Sequence, residues 1–256
     1  MTHLAIQYDP ANANSEALAQ RLNLPLVSST DEHQGLLLSY RNNRLTLSQP
    51  MARDAGSVCV DFCDSRLAFR LAQSLSREAI VKAVGGLAAK HPDSDATPQL
   101  IDATAGLGQD AFILAAAGWQ VSLIEQSPVI HALLEDGLQR ARAAASAPPH
   151  QRILQKILPR LHLCEPGNSL ALLPTLPAAA VIYLDPMFPA REKTARVKKN
   201  RYLLQHLHGD HGAGEGLLPL ALSLAAKVVV KRPRLAQPLE AMAPASSLTG
   251  KTSRFD

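Results

Sequence analysis

Apolar and polar positions along the chain follow two periods, and the change between them divides it. Leu36–Tyr40 and Arg44–Ser48 are apolar-rich runs of strand length on either side of Asn42-Asn43. Asn tolerates positive φ, so this pair predicts a hairpin turn. Val58–Phe62 reads as a further strand, and residues 1–75 as a small strand-rich N-terminal subdomain. Leu67–Ser76 fits neither period, whereas Arg77–Lys90 is helical, with Ser76 placed to cap it and Gly85-Gly86 weakening its middle. His91–Pro98 reads as a linker. From residue 99 the periods alternate, with strands over 99–103, 120–124, 161–164, 181–184 and 227–230. Helices are expected over 109–117, 128–145 and 217–226, the longest opening on Pro128 and stopping before Pro148-Pro149. Strands alternating with helices predict an α/β doubly wound sheet over residues 76–256.

The strand over 99–103 runs into Asp102-Ala103-Thr104-Ala105-Gly106-Leu107-Gly108 and then a helix start at Gln109-Asp110. Gly106 and Gly108 are expected to let the backbone pass close to a ligand, with free N–H groups at the helix start. Glu125 ends the second strand, placed for two ribose hydroxyls. This glycine pattern also fits a nicotinamide dinucleotide, and an NAD-dependent oxidoreductase is the competing enzyme class. Asp102 separates the two, because a pyrophosphate at the turn would face a carboxylate. S-adenosylmethionine has no phosphate, and its ammonium and sulfonium are both positive, so Asp102 favours it. Asn168 and Ser169 follow the strand over 161–164. They can meet an adenine there or cap the next helix, and the two roles can coexist.

The strand over 181–184 ends in Asp185-Pro186-Met187-Phe188-Pro189. This suits methyl transfer to a planar amino group, whose lone pair is delocalised into its ring. Asp185 or the Pro186 carbonyl can accept its N–H bonds and turn the lone pair outward, while Phe188 stacks on the ring. Pro186 restricts the backbone that holds these groups.

Charge sharpens this picture. The 256 residues carry a formal net charge of +4, too mild by itself to imply nucleic acid. Next to the acceptor motif, however, come Arg191, Lys193, Arg196, Lys198, Lys199 and Arg201 with one acid, Glu192. A second group, Lys227, Lys231, Arg232 and Arg234, brackets Val228–Val230. Both read as tracks for RNA phosphates. Hydrophobic content of 46% and charged content of 19% describe a soluble globular chain, expected in the cytoplasm. No apolar run reaches the roughly 18 residues of a membrane span, and Met1–Asp9 has no signal-peptide pattern. Of three cysteines, Cys59 and Cys63 are expected on one face of a strand as small buried hydrophobes. His206, His208, Asp210 and His211 lie among glycines, so no metal is expected there. A non-catalytic RNA-binding module is the third class. Polar groups intact at four strand ends argue against it.

Taken together, these motifs resemble the small-subunit ribosomal RNA guanine-N2 methyltransferase J family. The matching stretches are Asp102–Gly108, Asp110-Ala111-Phe112, Leu133-Leu134 with Asp136-Gly137-Leu138, Tyr183–Pro189, Val197-Lys198-Lys199, Val228–Pro233 and Arg254-Phe255-Asp256. The likeness covers about residue 58 onward. It implies a class I methyltransferase (Rossmann-like) fold using S-adenosylmethionine, and small-subunit ribosomal RNA or the assembled small subunit as partner. Carried over by position, cofactor contacts fall on Gln109, Asp110, Glu125, Gln126, Asn168, Ser169 and Asp185. The family often has Arg where Gln109 and Gln126 stand and a Ser pair where Asn168-Ser169 stands. Arg70–Arg77 lacks the family's Gly-rich basic stretch, and its last strand is expected to run on past Asp256.

Overall fold

A computed structural model describes residues 4–10, 14–28, 33, 35–51, 56–88, 97–148, 151–186, 203, 207 and 215–256. Two sheets form. The first holds β1 (Leu4–Gln7), β2 (Leu26–Val27), β3 (Leu36–Arg41), β4 (Arg44–Ser48) and β5 (Ser57–Val58), with α1 (Asn14–Leu22) between β1 and β2. Its order is β2-β1-β3-β4-β5. β1 runs parallel to β2 and β3, while β3 and β4 form the expected hairpin. Asn42 and Asn43 turn it with φ of 51° and 58°. The strand expected over Val58–Phe62 stops at Val58, because the Asp61 side chain accepts the Cys63 N–H at 2.9 Å and turns the chain. Cys59 and Cys63 are therefore partly exposed and do not share a strand face.

The unassigned stretch forms α2 (Ser65–Ala72), capped by Asp64, whose side chain accepts the Arg66 N–H. A short 3-10 turn over Leu75–Arg77 follows. α3 (Ala79–Val84) is much shorter than the helix expected over Arg77–Lys90, because Gly85 takes a left-handed φ of 116° and ends it.

The second sheet has the order β11-β12-β10-β9-β6-β7-β8. Its parallel strands are β6 (Gln99–Asp102), β7 (Gln120–Leu123), β8 (Leu161–Leu163), β9 (Val181–Leu184) and β10 (Lys227–Pro233). α4 (Gln109–Ala116), α5 (Pro128–Ala144), α6 (Gln151–Ile157), α7 (Ser169–Leu172) and α8 (Leu217–Leu224) connect them among the described residues. β11 (Leu248–Thr249) and β12 (Ser253–Phe255) add an antiparallel edge beside β10. The chain order reverses at β6, which lies between β7 and β9, so the crevice of this open sheet opens above its carboxyl end.

The two sheets share one apolar core. Ile6, Leu36, Leu45 and Leu47 belong to the same buried cluster as Phe112, Leu114, Leu133 and Leu134. Phe62 stacks on Phe112 with ring centroids 4.7 Å apart. α5 is the seam. Its Asp136 accepts the Leu45 N–H at 3.2 Å and the Arg140 Nε–H at 2.9 Å. Arg140 also donates to the Val60 carbonyl, and Glu135 pairs with Arg21 at 2.6 Å. Gly137 lets the strands close on the helix, for a Cβ there would meet Val60 Cγ1 at 2.4 Å and Val60 Cβ at 2.6 Å.

This close approach is testable. Overpacking costs about 1–3 kcal/mol, against a gain of about 1 kcal/mol for removing a helical glycine. Gly137→Ala is therefore expected to lower stability by up to about 2 kcal/mol in chemical denaturation. Adding Val60→Ala should recover part of that loss.

Candidate active site at the carboxyl ends of the strands

Asp102 closes β6 and is almost fully buried, at 1% exposure. Its Oδ1 accepts the Thr104 N–H at 3.2 Å. Burial pushes its carboxyl well above the usual range, and the charges of Asp110 and Asp185 add to the effect, against the Thr104 N–H and Lys231. The turn that follows is held by its backbone, with Ala105 N–H on the Ile124 carbonyl at 2.9 Å and Gly108 N–H on the Ala105 carbonyl at 2.8 Å. Gly106 adopts φ of 54°, and an added Cβ would meet only the Thr104 carbonyl oxygen, at 3.9 Å. Gly108 serves a different need from the one expected of it. Its φ is 71°, and an added Cβ would meet Leu134 Cδ1 at 2.6 Å and Phe62 Cζ at 3.3 Å, so it packs on the core.

Glu125, 4% exposed, ties this turn to the next helix. Its Oε2 accepts the Gly106 N–H at 2.9 Å and its Oε1 the Ser127 N–H at 2.7 Å. Burial raises its carboxyl, and backbone donors from Ser127, Gly106 and Gln126 oppose the rise. Ser127 in turn caps α5 through its Oγ. Glu125, from which a ribose contact is expected, thus fixes the Gly106 turn. Gln109 and Gln126 are exposed on the same rim. Asn168 caps α7 by accepting the Leu170 N–H at 2.8 Å, and Ser169 Oγ donates to the Ala103 carbonyl at 2.5 Å, bracing the end of β6.

The other side of the crevice joins α4, β9 and β10. Asp110 Oδ2 accepts from the Tyr183 hydroxyl at 2.8 Å and from Lys231 Nζ at 2.6 Å. The same ammonium lies 2.8 Å from Asp185 Oδ2, and the Asp185 backbone N–H donates to Thr104 Oγ1 at 2.6 Å. Burial works against the Lys231 ammonium, but Asp110 and Asp185 outweigh it and hold its pKa above the ordinary lysine value. Burial, then Asp110 and Asp185, push the Tyr183 hydroxyl well up, so it stays a donor. Arg70 on α2 faces this group while its guanidinium grips Glu78 at 3.2 and 3.1 Å.

The structure divides the second basic group. Lys227 and Arg234 are exposed. Lys231 points into the acids, and Arg232, 6% exposed, donates to the Gln237 carbonyl from Nε at 2.9 Å and from Nη2 at 2.5 Å. The outward phosphate track expected of Lys231 and Arg232 is thus replaced by internal contacts. Successive residues of a strand point to opposite faces, so four nearby cations do not share one surface. Pro186 is buried beside Asp185. Met187, Phe188, Arg191, Lys193, Arg196, Lys198, Lys199, Arg201 and the His206–His211 stretch lie outside the described residues.

The sequence singled out neither Tyr183, which is both a core residue and a hydroxyl donor, nor Thr104. A signal for Tyr183 existed. It stands two residues before Asp185 on β9, hence on the same face, and pairs with Asp102 across β6. Asp110 and Asp185 outnumber Lys231 here, which suits a cationic ligand better than a pyrophosphate. The open face of Gly106 and the acid at Glu125 fit the amino-acid and ribose parts of S-adenosylmethionine. Among the described residues no His, Cys, Asp and Glu group could hold a metal ion.

Glu125→Gln removes one acceptor from the pair that holds Gly106 and Ser127. Leaving a buried N–H against an amide costs about 1–3 kcal/mol. Affinity for S-adenosylhomocysteine in calorimetry should fall by roughly tenfold or more, with a lower melting temperature.

Comparison with known proteins agrees with this geometry. A family model for SAM-dependent methyltransferases matches residues 17–256. The ribosomal RNA small subunit methyltransferase J of Thioalkalivibrio sulfidiphilus is 41% identical over 263 residues, covering 100% of this chain and 97% of that protein. Its counterpart from Pseudomonas syringae pv. syringae is 44% identical over 242 residues, covering 93% and 84%. A crystal structure of a SAM-dependent methyltransferase from Neisseria gonorrhoeae, 33% identical, superposes with a TM-score of 0.69 over 99% of this chain and 94% of that one. The class I methyltransferase fold and its S-adenosylmethionine cofactor follow from these matches. The chain belongs to the ribosomal RNA small subunit methyltransferase J family of SAM-dependent methyltransferases.

Proposed function

We propose that the protein transfers a methyl group from S-adenosylmethionine to the exocyclic N2 of a guanine in small-subunit ribosomal RNA. The observation that carries this reading is the placement of Asp185. Its carboxylate stands just past the end of β9, beside the turn that follows the neighbouring β6, with its backbone tied to Thr104 and its side chain to Lys231. A carboxylate so held accepts the N–H bonds of an amino group and aims the nitrogen lone pair. The Pro186 carbonyl is the second acceptor, and Phe188 supplies the stacking face. When bound, the cofactor supplies an electrophilic methyl on a positive sulfur, so no nucleophilic side chain is needed. The protein's work is alignment and electrostatics. The amine proton leaves to Asp185 or to water. A guanine buried in a helix must first be unstacked to reach the crevice.

The basic tract from Arg191 to Arg201 follows the acceptor motif directly and is the proposed phosphate contact. Ribosomal RNA, free or within the assembled small subunit, is the partner, and the cytoplasm is the place of action. Among the described residues no helix is long and apolar enough to cross a membrane.

Asp185→Ala is expected to abolish tritiated methyl transfer to ribosomal RNA while RNA binding survives, because phosphate contacts set affinity. Nucleoside analysis of the wild-type product should place the label on guanine N2. Label on a ring carbon or a ribose oxygen would overturn the reading.

Replacing Lys198 and Lys199 with Ala should reduce the slope of log affinity against log salt by roughly one to two units. An unchanged slope would move the RNA track elsewhere.

A further inference from the structure

Lys231 leaves β10 one step past the Val230–Leu184 pairing, which brings it level with Asp185. Its ammonium is shared between two carboxylates, at 2.6 Å from Asp110 Oδ2 and 2.8 Å from Asp185 Oδ2. An ammonium has three donors, so two are already engaged. The side chain is 28% exposed, and a phosphate would have to displace an acid to take it. Asp110 is itself held, by the Tyr183 hydroxyl at 2.8 Å. Four elements thus meet in one bonded group: β10 supplies Lys231, α4 supplies Asp110, β9 and the residue after it supply Tyr183 and Asp185, and the turn after β6 supplies Thr104 to the Asp185 backbone.

Resting on the function proposed above, we infer that Lys231 is a positioning residue for methyl transfer, bridging Asp110 and Asp185 so that the Asp185 carboxylate faces the acceptor amine. Thr104 fixes where the Asp185 backbone sits, and the following Pro186 restricts its dihedrals. Lys231 fixes where its carboxylate points. Without the ammonium, Asp185 would face Asp110 as a like charge, with Arg232 and the more distant Arg70 left to offset it. It would then rotate away or take up a proton. A compact ammonium fits between two carboxylate oxygens at 2.6 and 2.8 Å, whereas the larger guanidinium holds its donors in a fixed fork and would have to spread them.

The experiment compares the full-length wild type with Lys231→Met, Lys231→Gln and Lys231→Arg. Lys156→Ala serves as a control, since Lys156 is exposed on α6 and belongs to neither basic group. Turnover on small-subunit ribosomal RNA, KM for S-adenosylmethionine, RNA affinity against salt and the 13C carboxyl titration of Asp185 are read for each. Lys231→Met and Lys231→Gln should lower kcat by roughly a hundredfold, the scale of a catalytic group misplaced by an ångström. KM, RNA affinity and salt slope should stay as in wild type. Lys231→Arg should recover part of the turnover. An Asp185 carboxylate that has lost its cation takes a proton more readily. The acidic limb of the kcat profile, below which activity is lost, should therefore move to higher pH in Lys231→Met, together with the carboxyl inflection.

Intact kcat with weaker RNA binding and a salt slope reduced by about one would show a phosphate contact instead and overturn the inference. A wild type that methylates no RNA would defeat the proposed function alone. The Asp185 titration still decides the role of Lys231, and an inflection that does not move in Lys231→Met or Lys231→Gln would reject it.

Discussion

Acids gathered at one end of a parallel sheet must be compensated, and the whole crevice depends on how this is done. Asp102, Asp110 and Asp185 come from a strand, a helix and another strand end, and each is partly or fully removed from water. Asp102 is answered by a backbone N–H, Asp110 by Tyr183 and Lys231, and Asp185 by Lys231. The balance left over is negative. A phosphate-bearing cofactor would worsen it, whereas a ligand carrying an ammonium and a sulfonium would relieve it.

Glu125 plays the same part on the other flank by a different device. Its two oxygens take backbone N–H groups from the Gly106 turn and from the start of α5. One carboxylate joins the turn after β6 to the start of α5. The sequence motif identified this acid as a ligand contact, yet its bonds within the protein are structural. A group can do both, because a carboxylate oxygen has more than one lone pair.

Local signals carried most of what the sequence reveals. Asn42-Asn43, Pro128 at the start of α5 and the apolar runs of β6, β7, β9 and β10 all act within a few residues, and each lies within a residue or two of its expected place apart from the longer β10. Where a distant or competing contact decides, the pattern is mute. Asp61 ends β5 early through its own side chain, and Gly85 ends α3. β11 and β12 exist only by pairing beside β10. The candidate site divides in the same way. Asp102, Glu125 and Asp185 are legible because each closes a strand. The inward turn of Lys231 and the polar role of Tyr183 depend on the register of β9 against β10 and on Asp110, 73 residues from Tyr183 and 121 from Lys231.

The shared cluster beneath the two sheets bears on how the molecule comes apart. Phe62 lies against Phe112, Gly137 against Val60, and Asp136 on the Leu45 backbone, so neither sheet can be stripped away without opening the core of the other. Two architectural layers therefore amount to one thermodynamic body. Its calorimetric melting is expected to be a single peak whose van't Hoff and calorimetric enthalpies agree. A fragment lacking the first sheet would bare the apolar side of α5 and self-associate.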